Sequence, residues 1–90
     1  MSDPKLQAVI TEMRAQLTRA EGLEPGTRRS LEHLVRDLEA LASEPEAAGS
    51  PSGASIRDRA AEAVRRVEAS HPTLSTTLGN VVDTLAFFNL

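Results

Sequence analysis

Glu68 and His71 stand three residues apart. On one turn of a helix that spacing presents a carboxylate and an imidazole to the same metal ion. Di-metal carboxylate bundles need two such motifs plus two further Glu on facing helices. This chain supplies one motif, and a symmetric dimer would supply two. Pro72 follows His71 directly and breaks the helical geometry on which the spacing depends. The remaining ligands of such a shell are not in the sequence, so the simpler expectation is a helix cap, with His71 bonding backbone groups that the proline releases. His33 and Asp37 are four apart and could chelate a metal. Glu32 and Arg36 beside them give the composition of a solvated face instead. No metal ligand and no cofactor is expected.

Other chemistry finds no pattern. There is no Cys, which excludes disulfides and thiolate metal sites. No Ser/His/Asp arrangement is recognisable, and Gly22, Gly26, Gly49, Gly53 and Gly79 are too scattered for a phosphate loop. The chain is read as a non-enzyme. Arg28, Arg29, Arg57, Arg59, Arg65 and Arg66 could form a basic patch. Glu32, Asp58, Glu62 and Glu68 interrupt it, and no aromatic residue accompanies it for base stacking. Salt-bridged helix surfaces are the favoured reading. A net charge of −3 further opposes general affinity for nucleic acid or an anionic membrane.

The elements that would position these side chains are helical. Ninety residues make one domain, here 1–90, with two Phe and no Trp or Tyr to build its core. A first helix is expected to start at Asp3 with Pro4 in the first helical position. Its stripe is Leu6, Ile10, Met13, Leu17 and Ala20, widened by Val9, and Gly22 ends it. A short turn leads to a second helix with the stripe Leu31, Leu34, Leu38 and Leu41, widened by Val35. Glu32 and Arg36 are spaced to support it. Residues 3–42 therefore form an antiparallel hairpin. Residues 43–54, rich in Pro, Gly and Ser, read as a flexible linker that leaves the direction of the next helix open. Replacing that linker with a Gly/Ser segment should leave the fold intact. Ser55 and Asp58 form a Ser-x-x-Asp capping box at the start of the third helix. Ile56, Ala60, Ala63, Val64 and Val67 line its buried side. The stripe continues in phase through Ser70–Pro72 to Leu74 and Leu78. The spacing predicts a sharp kink there, capped by Ser70 or His71, with a fourth helix continuing nearly in line.

That fourth helix is unlike the others. From Pro72 to Leu90 the chain carries one charge, Asp83. Leu74, Leu78, Val81, Leu85 and Phe88 form one stripe. The opposite face, Thr73, Thr77, Asn80, Thr84 and Phe87, is uncharged, whereas a solvent-facing helix usually carries Lys, Glu and Arg there. Burial on more than one side is expected, hence a partner. The candidate interaction residues are Leu74, Leu78, Gly79, Val81, Val82, Leu85, Phe87, Phe88 and Leu90. Gly79 would let another helix approach closely. Phe88 should pack within its own subunit and Phe87 against another.

Val67-Glu-Ala-Ser-His-Pro-Thr-Leu74, followed by Leu78-Gly79 and Asp83-Thr-Leu-Ala86, resembles a family of very short bacterial proteins known as domain of unknown function 4404. The opening Met1–Leu6 and the Leu-rich second helix are compatible with it. Members of that family commonly end in Gly-Ile, whereas this chain ends Phe87-Phe-Asn-Leu90. The resemblance implies the fold and no catalytic residue.

The expected fold is all-α: a hairpin, a linker and a Pro-kinked pair over 55–90, a small bundle completed by oligomerisation. The expected function is assembly or protein interaction through the uncharged C-terminal helix, with the chain itself as the first expected partner and another protein as the second. The alternatives are a nucleic-acid-associated oligomer whose arginines align on assembly and, third, a metal-binding helical protein. Met1–Lys5 lacks the basic start of a signal peptide. The tail is too often interrupted by Thr, Ser, Asn and Asp to span a membrane. A cytoplasmic location is expected.

Overall fold

A computed structural model describes residues 4–43 and 53–87. Four helices follow one another: α1 (Pro4–Arg19), α2 (Pro25–Ser43), α3 (Gly53–Val67) and α4 (Pro72–Phe87). The fold is an all-α bundle. Three of the four helices open with Pro, and the proline ring suits a first turn that has no intrahelical partner for its nitrogen. Asp3, the linker residues 44–52 and the terminal Phe88–Leu90 lie outside the described residues.

The expected stripes build the core. Leu6, Ile10, Met13 and Leu17 of α1 are buried, as are Leu31, Leu34, Val35, Leu38 and Leu41 of α2. Ile56, Ala60 and Val67 of α3 join Leu74, Leu78, Val81 and Leu85 of α4 in the same cluster. Val9, Ala63, Val64 and Val82 pack against its edge. Each helix thus turns one apolar stripe inward, and the stripes meet in one continuous interior.

The helices form a ring. α1 packs on α2 and α4, and α3 packs on α2 and α4, with no close backbone approach across either diagonal. Side-chain pairings fix the directions. Arg28 near the start of α2 reaches carbonyls at the end of α1, while Arg14 of α1 pairs with Glu39 farther along α2. Arg59 of α3 meets His33 and Asp37 of α2. Lys5 of α1 lies over the Phe87 ring of α4. Neighbouring helices run antiparallel, in up-down-up-down order.

The break at Ser70–Pro72 is present, but α4 does not continue in line with α3. Laid end to end, helices of 15 and 16 residues would span about 46 Å. The longest dimension is 36 Å. The chain instead reverses at 68–71, and α3 and α4 become the most closely packed pair. His71 makes the reversal. Its N–H donates to the Val67 carbonyl at 2.7 Å, and its own carbonyl accepts from Ser75 at 2.9 Å. It therefore closes one helix and opens the next. α3 also begins at Gly53, two residues before Ser55. Ser55 sits inside the first turn rather than at the cap.

The α1–α2 turn depends on Gly22, whose φ is +74°. A side chain there would meet no atom within 4 Å, so the requirement is conformational and not steric. Arg28 completes the turn. Its guanidinium donates to the carbonyls of Leu17 and Ala20, both at 2.7 Å. Those are carbonyls that the end of α1 leaves without helical partners.

Candidate functional site

The inner face of α4 packs within its own chain. Leu74, Leu78, Val81 and Leu85 are all buried in the bundle core. They were expected to contribute to an interface, and the ring of helices has already covered them. Val82 and Gly79 are half-buried at the flank, and Phe88 and Leu90 lie outside the described residues. Phe87 is different. It is 69% exposed, a large apolar ring on the outside of the bundle. The Lys5 ammonium lies 4.1 Å from its centroid. A cation over an aromatic face holds it at a surface but does not take its apolar area out of water.

The outer stripe of α4 also differs from the expected one. Thr77 is buried, at 4% exposure, and its hydroxyl donates to the Thr73 carbonyl at 3.1 Å. A local bond of this kind satisfies the hydroxyl without a tertiary partner, so a threonine can serve on a core face. At about 100° per residue, Thr77 lies about 70° from the centre of the leucine stripe, within reach of the interior. The exposed residues are Pro72, Thr73, Thr76, Asn80, Asp83, Ala86 and Phe87. Thr76 bonds back to Pro72 in the same way, at 3.0 Å. The one charge of the helix, Asp83, therefore lies on its outer face. Gly79 stands beside this stripe, and a side chain there would meet nothing within 4 Å.

A second feature lies between α2 and α3, the most loosely packed neighbours. Here a groove of about 540 Å³ opens over Leu31, Leu34 and Ala63, with Gly26 at one end and Arg29, Arg59 and Arg66 along its rim. Arg59 is fixed by Asp37, whose carboxylate pairs with it across the two helices. The same Arg59 lies 3.3 Å from His33 Nδ1, which is 3.4 Å from the Asp37 carboxylate. His33 is thus a member of an interhelical cluster. Arg66 pairs with Glu62 at 3.0 Å, as the four-residue spacing suggested. Glu32 and Arg36, spaced in the same way, form no pair. Arg29 has no ion-pair or hydrogen-bond partner among the described residues.

The sequence profile of the family described as domain of unknown function (DUF4404) matches residues 6–88. The chain belongs to this family. The match takes in all four helices, from the first core leucine, Leu6, to the end of α4. The DUF4404 stretch Val67–Leu74 is the reversal between α3 and α4, with His71 and Pro72 at its centre. No curated protein and no solved structure matches the chain.

Other expectations divide on the same geometry. Glu68 and His71 lie in that DUF4404 turn and not on one helix. No three of the described His, Asp and Glu residues come together as metal ligands. Among the described residues, no helix is long and apolar enough to cross a membrane. Of the six arginines of the expected patch, Arg29, Arg59 and Arg66 line the α2–α3 groove, whereas Arg28 caps α1; Arg59 also ties α2 to α3, and Arg66 pairs along α3. Two functional placements went unread in the sequence. Arg28 finds carbonyls 8 and 11 residues earlier, across a turn, so no helical spacing marks it. The Arg59–Asp37 pair joins residues 22 apart and exists only once the bundle closes.

Proposed function

We propose that this DUF4404 protein is an assembly module, in which a second copy of the chain covers the outer face of α4 around Phe87. The exposure of Phe87 carries the reading. An aromatic ring left 69% in water gains by association, since a large apolar side chain fully buried contributes roughly 1.5–3 kcal/mol. Its surroundings support the same role. The exposed stripe Thr73, Thr76, Asn80, Asp83 and Phe87 holds a single charge, so covering it desolvates little. Elsewhere the exposed helix faces carry Glu12, Arg14 and Arg19, or Arg29, Glu32 and Arg36, or Asp58, Glu62 and Arg66. Gly79 adds a further argument. Mid-helix glycine costs about 1 kcal/mol relative to alanine, and nothing among the described residues crowds the position. Close approach of a second helix would.

The proposed role is structural and not catalytic. Its interface is smaller than the tail as a whole, because the inner leucines of α4 serve the subunit's own core. The test is the mass of wild type and Phe87→Ser across protein concentration, read beside far-UV circular dichroism. Phe87→Ser should shift the protein toward the 9.7 kDa monomer while keeping its helicity. Unchanged mass in Phe87→Ser at every concentration would remove this face as the interface.

A further inference from the structure

The groove between α2 and α3 lies on the side of the ring opposite the α1–α4 seam that carries Lys5 and Phe87. Its composition is unlike that of the chain as a whole. The protein has a net charge of −3, yet the groove is lined by Arg29, Arg59 and Arg66 against one carboxylate, Glu62. Gly26 and Ala63 leave space where larger side chains would close the seam.

We propose that this groove binds a small amphiphilic anion, a carboxylate or phosphate carried on a compact apolar body. Arg29 and Arg66 hold the anionic group, and the half-buried Ala63 receives the apolar part above the buried Leu34. Arg29 has no partner among the described residues to surrender, so its full charge and donor fork are available. Among the described residues Arg66 is held only by Glu62 one turn away on an exposed face, a pairing worth little and readily exchanged. Arg59 is anchored by Asp37 and His33, which keeps its charge at the rim without waiting for a ligand. Guanidinium groups bind carboxylate and phosphate through two parallel N–H donors, and this selects an anion over a neutral polar group.

Size decides between a small molecule and a macromolecular segment. From Gly26 to Leu34 the groove follows about 12 Å of helix. Its volume of about 540 Å³ falls in the range of sites for small organic ligands, about 300–1,000 Å³. A docked helix about 10 Å across would overfill it. A nucleic-acid strand would find no Phe, Tyr or Trp to stack on there, only the His33 imidazole that the Arg59–Asp37 pair already engages.

The probes are sodium octanoate and octyl phosphate, titrated into the full-length ¹⁵N-labelled chain. Acetate serves as the anion without a body and octanol as the body without an anion. Saturable amide shifts are expected at Gly26, Arg29, Leu34 and Ala63 with an amphiphilic anion, at least about tenfold tighter than with either control. Tighter binding of octyl phosphate assigns a phosphate headgroup, and tighter binding of octanoate a carboxylate; both support the site. Arg29→Gln should weaken binding about tenfold, the effect of one charge-assisted contact, with an unchanged thermal melt. Non-saturable shifts, shifts centred away from the groove, or an Arg29→Gln affinity equal to wild type would each overturn the proposal.

Discussion

Arg28 and Arg29 are adjacent in the chain and do unrelated work. Arg28 is half-buried and donates two hydrogen bonds to the last carbonyls of α1. Arg29 is exposed at the groove rim. Arg28→Met should therefore cost about 1–2 kcal/mol, discounted for its partial exposure, because two carbonyls lose a charged donor. Arg29→Met should stay within about 0.5 kcal/mol, as ordinary surface changes do. Denaturant unfolding of the two variants gives the comparison directly, and equal midpoints would show that the cap contributes nothing. Gly22 makes a similar point. Its positive φ means that Gly22→Ala should destabilise by about 1–2 kcal/mol although the added methyl meets no atom. A melt unchanged from wild type would mean the turn relaxes. At this scale the glycine was legible as a helix end, because a left-handed residue there is a local requirement. The capping role of Arg28 was not, since its partners are reached only after the hairpin closes.

At the scale of elements, α4 divides into an inner and an outer face. Leu78 is fully buried, so Leu78→Ala should lower stability by about 3–5 kcal/mol. A loss under 1 kcal/mol would show that the face is not core. Gly79→Ala, one residue on, should act in two directions. It should raise the unfolding free energy of the dilute subunit by about 1 kcal/mol through helix propensity. It should also move the association midpoint to higher concentration, because a methyl would stand where a second helix approaches. Denaturation at low concentration and sedimentation at high concentration separate the two effects; tighter association would argue against close packing at Gly79. The stripes of all four helices were legible, since periodicity marks the buried face of each helix separately. The reversal at His71–Pro72 was not. A stripe that stays in phase across a break is compatible with an in-line kink and equally with two helices folded back to face one core. Only the packing of α4 on both α3 and α1 distinguishes them. Thr77 was placed outside for a related reason: its type suggests solvent, and its bond to the Thr73 carbonyl removes that constraint.

Taken whole, the molecule closes a four-helix ring and buries one continuous core from a chain of ninety residues with two aromatic side chains. The expectation that a partner would be needed to cover the leucines of α4 followed from treating the tail as a single apolar helix. Folding back lets α3 and α1 cover them. What remains for a partner is a narrower outer surface with Phe87 at one end, where Lys5 already leans over the ring. Association through that surface is the central claim, and sedimentation velocity of the wild-type chain from low micromolar to high micromolar concentration tests it most directly. The expected result is a concentration-dependent rise from 9.7 kDa toward a closed dimer or larger assembly. A single species of 9.7 kDa across the whole range would contradict it.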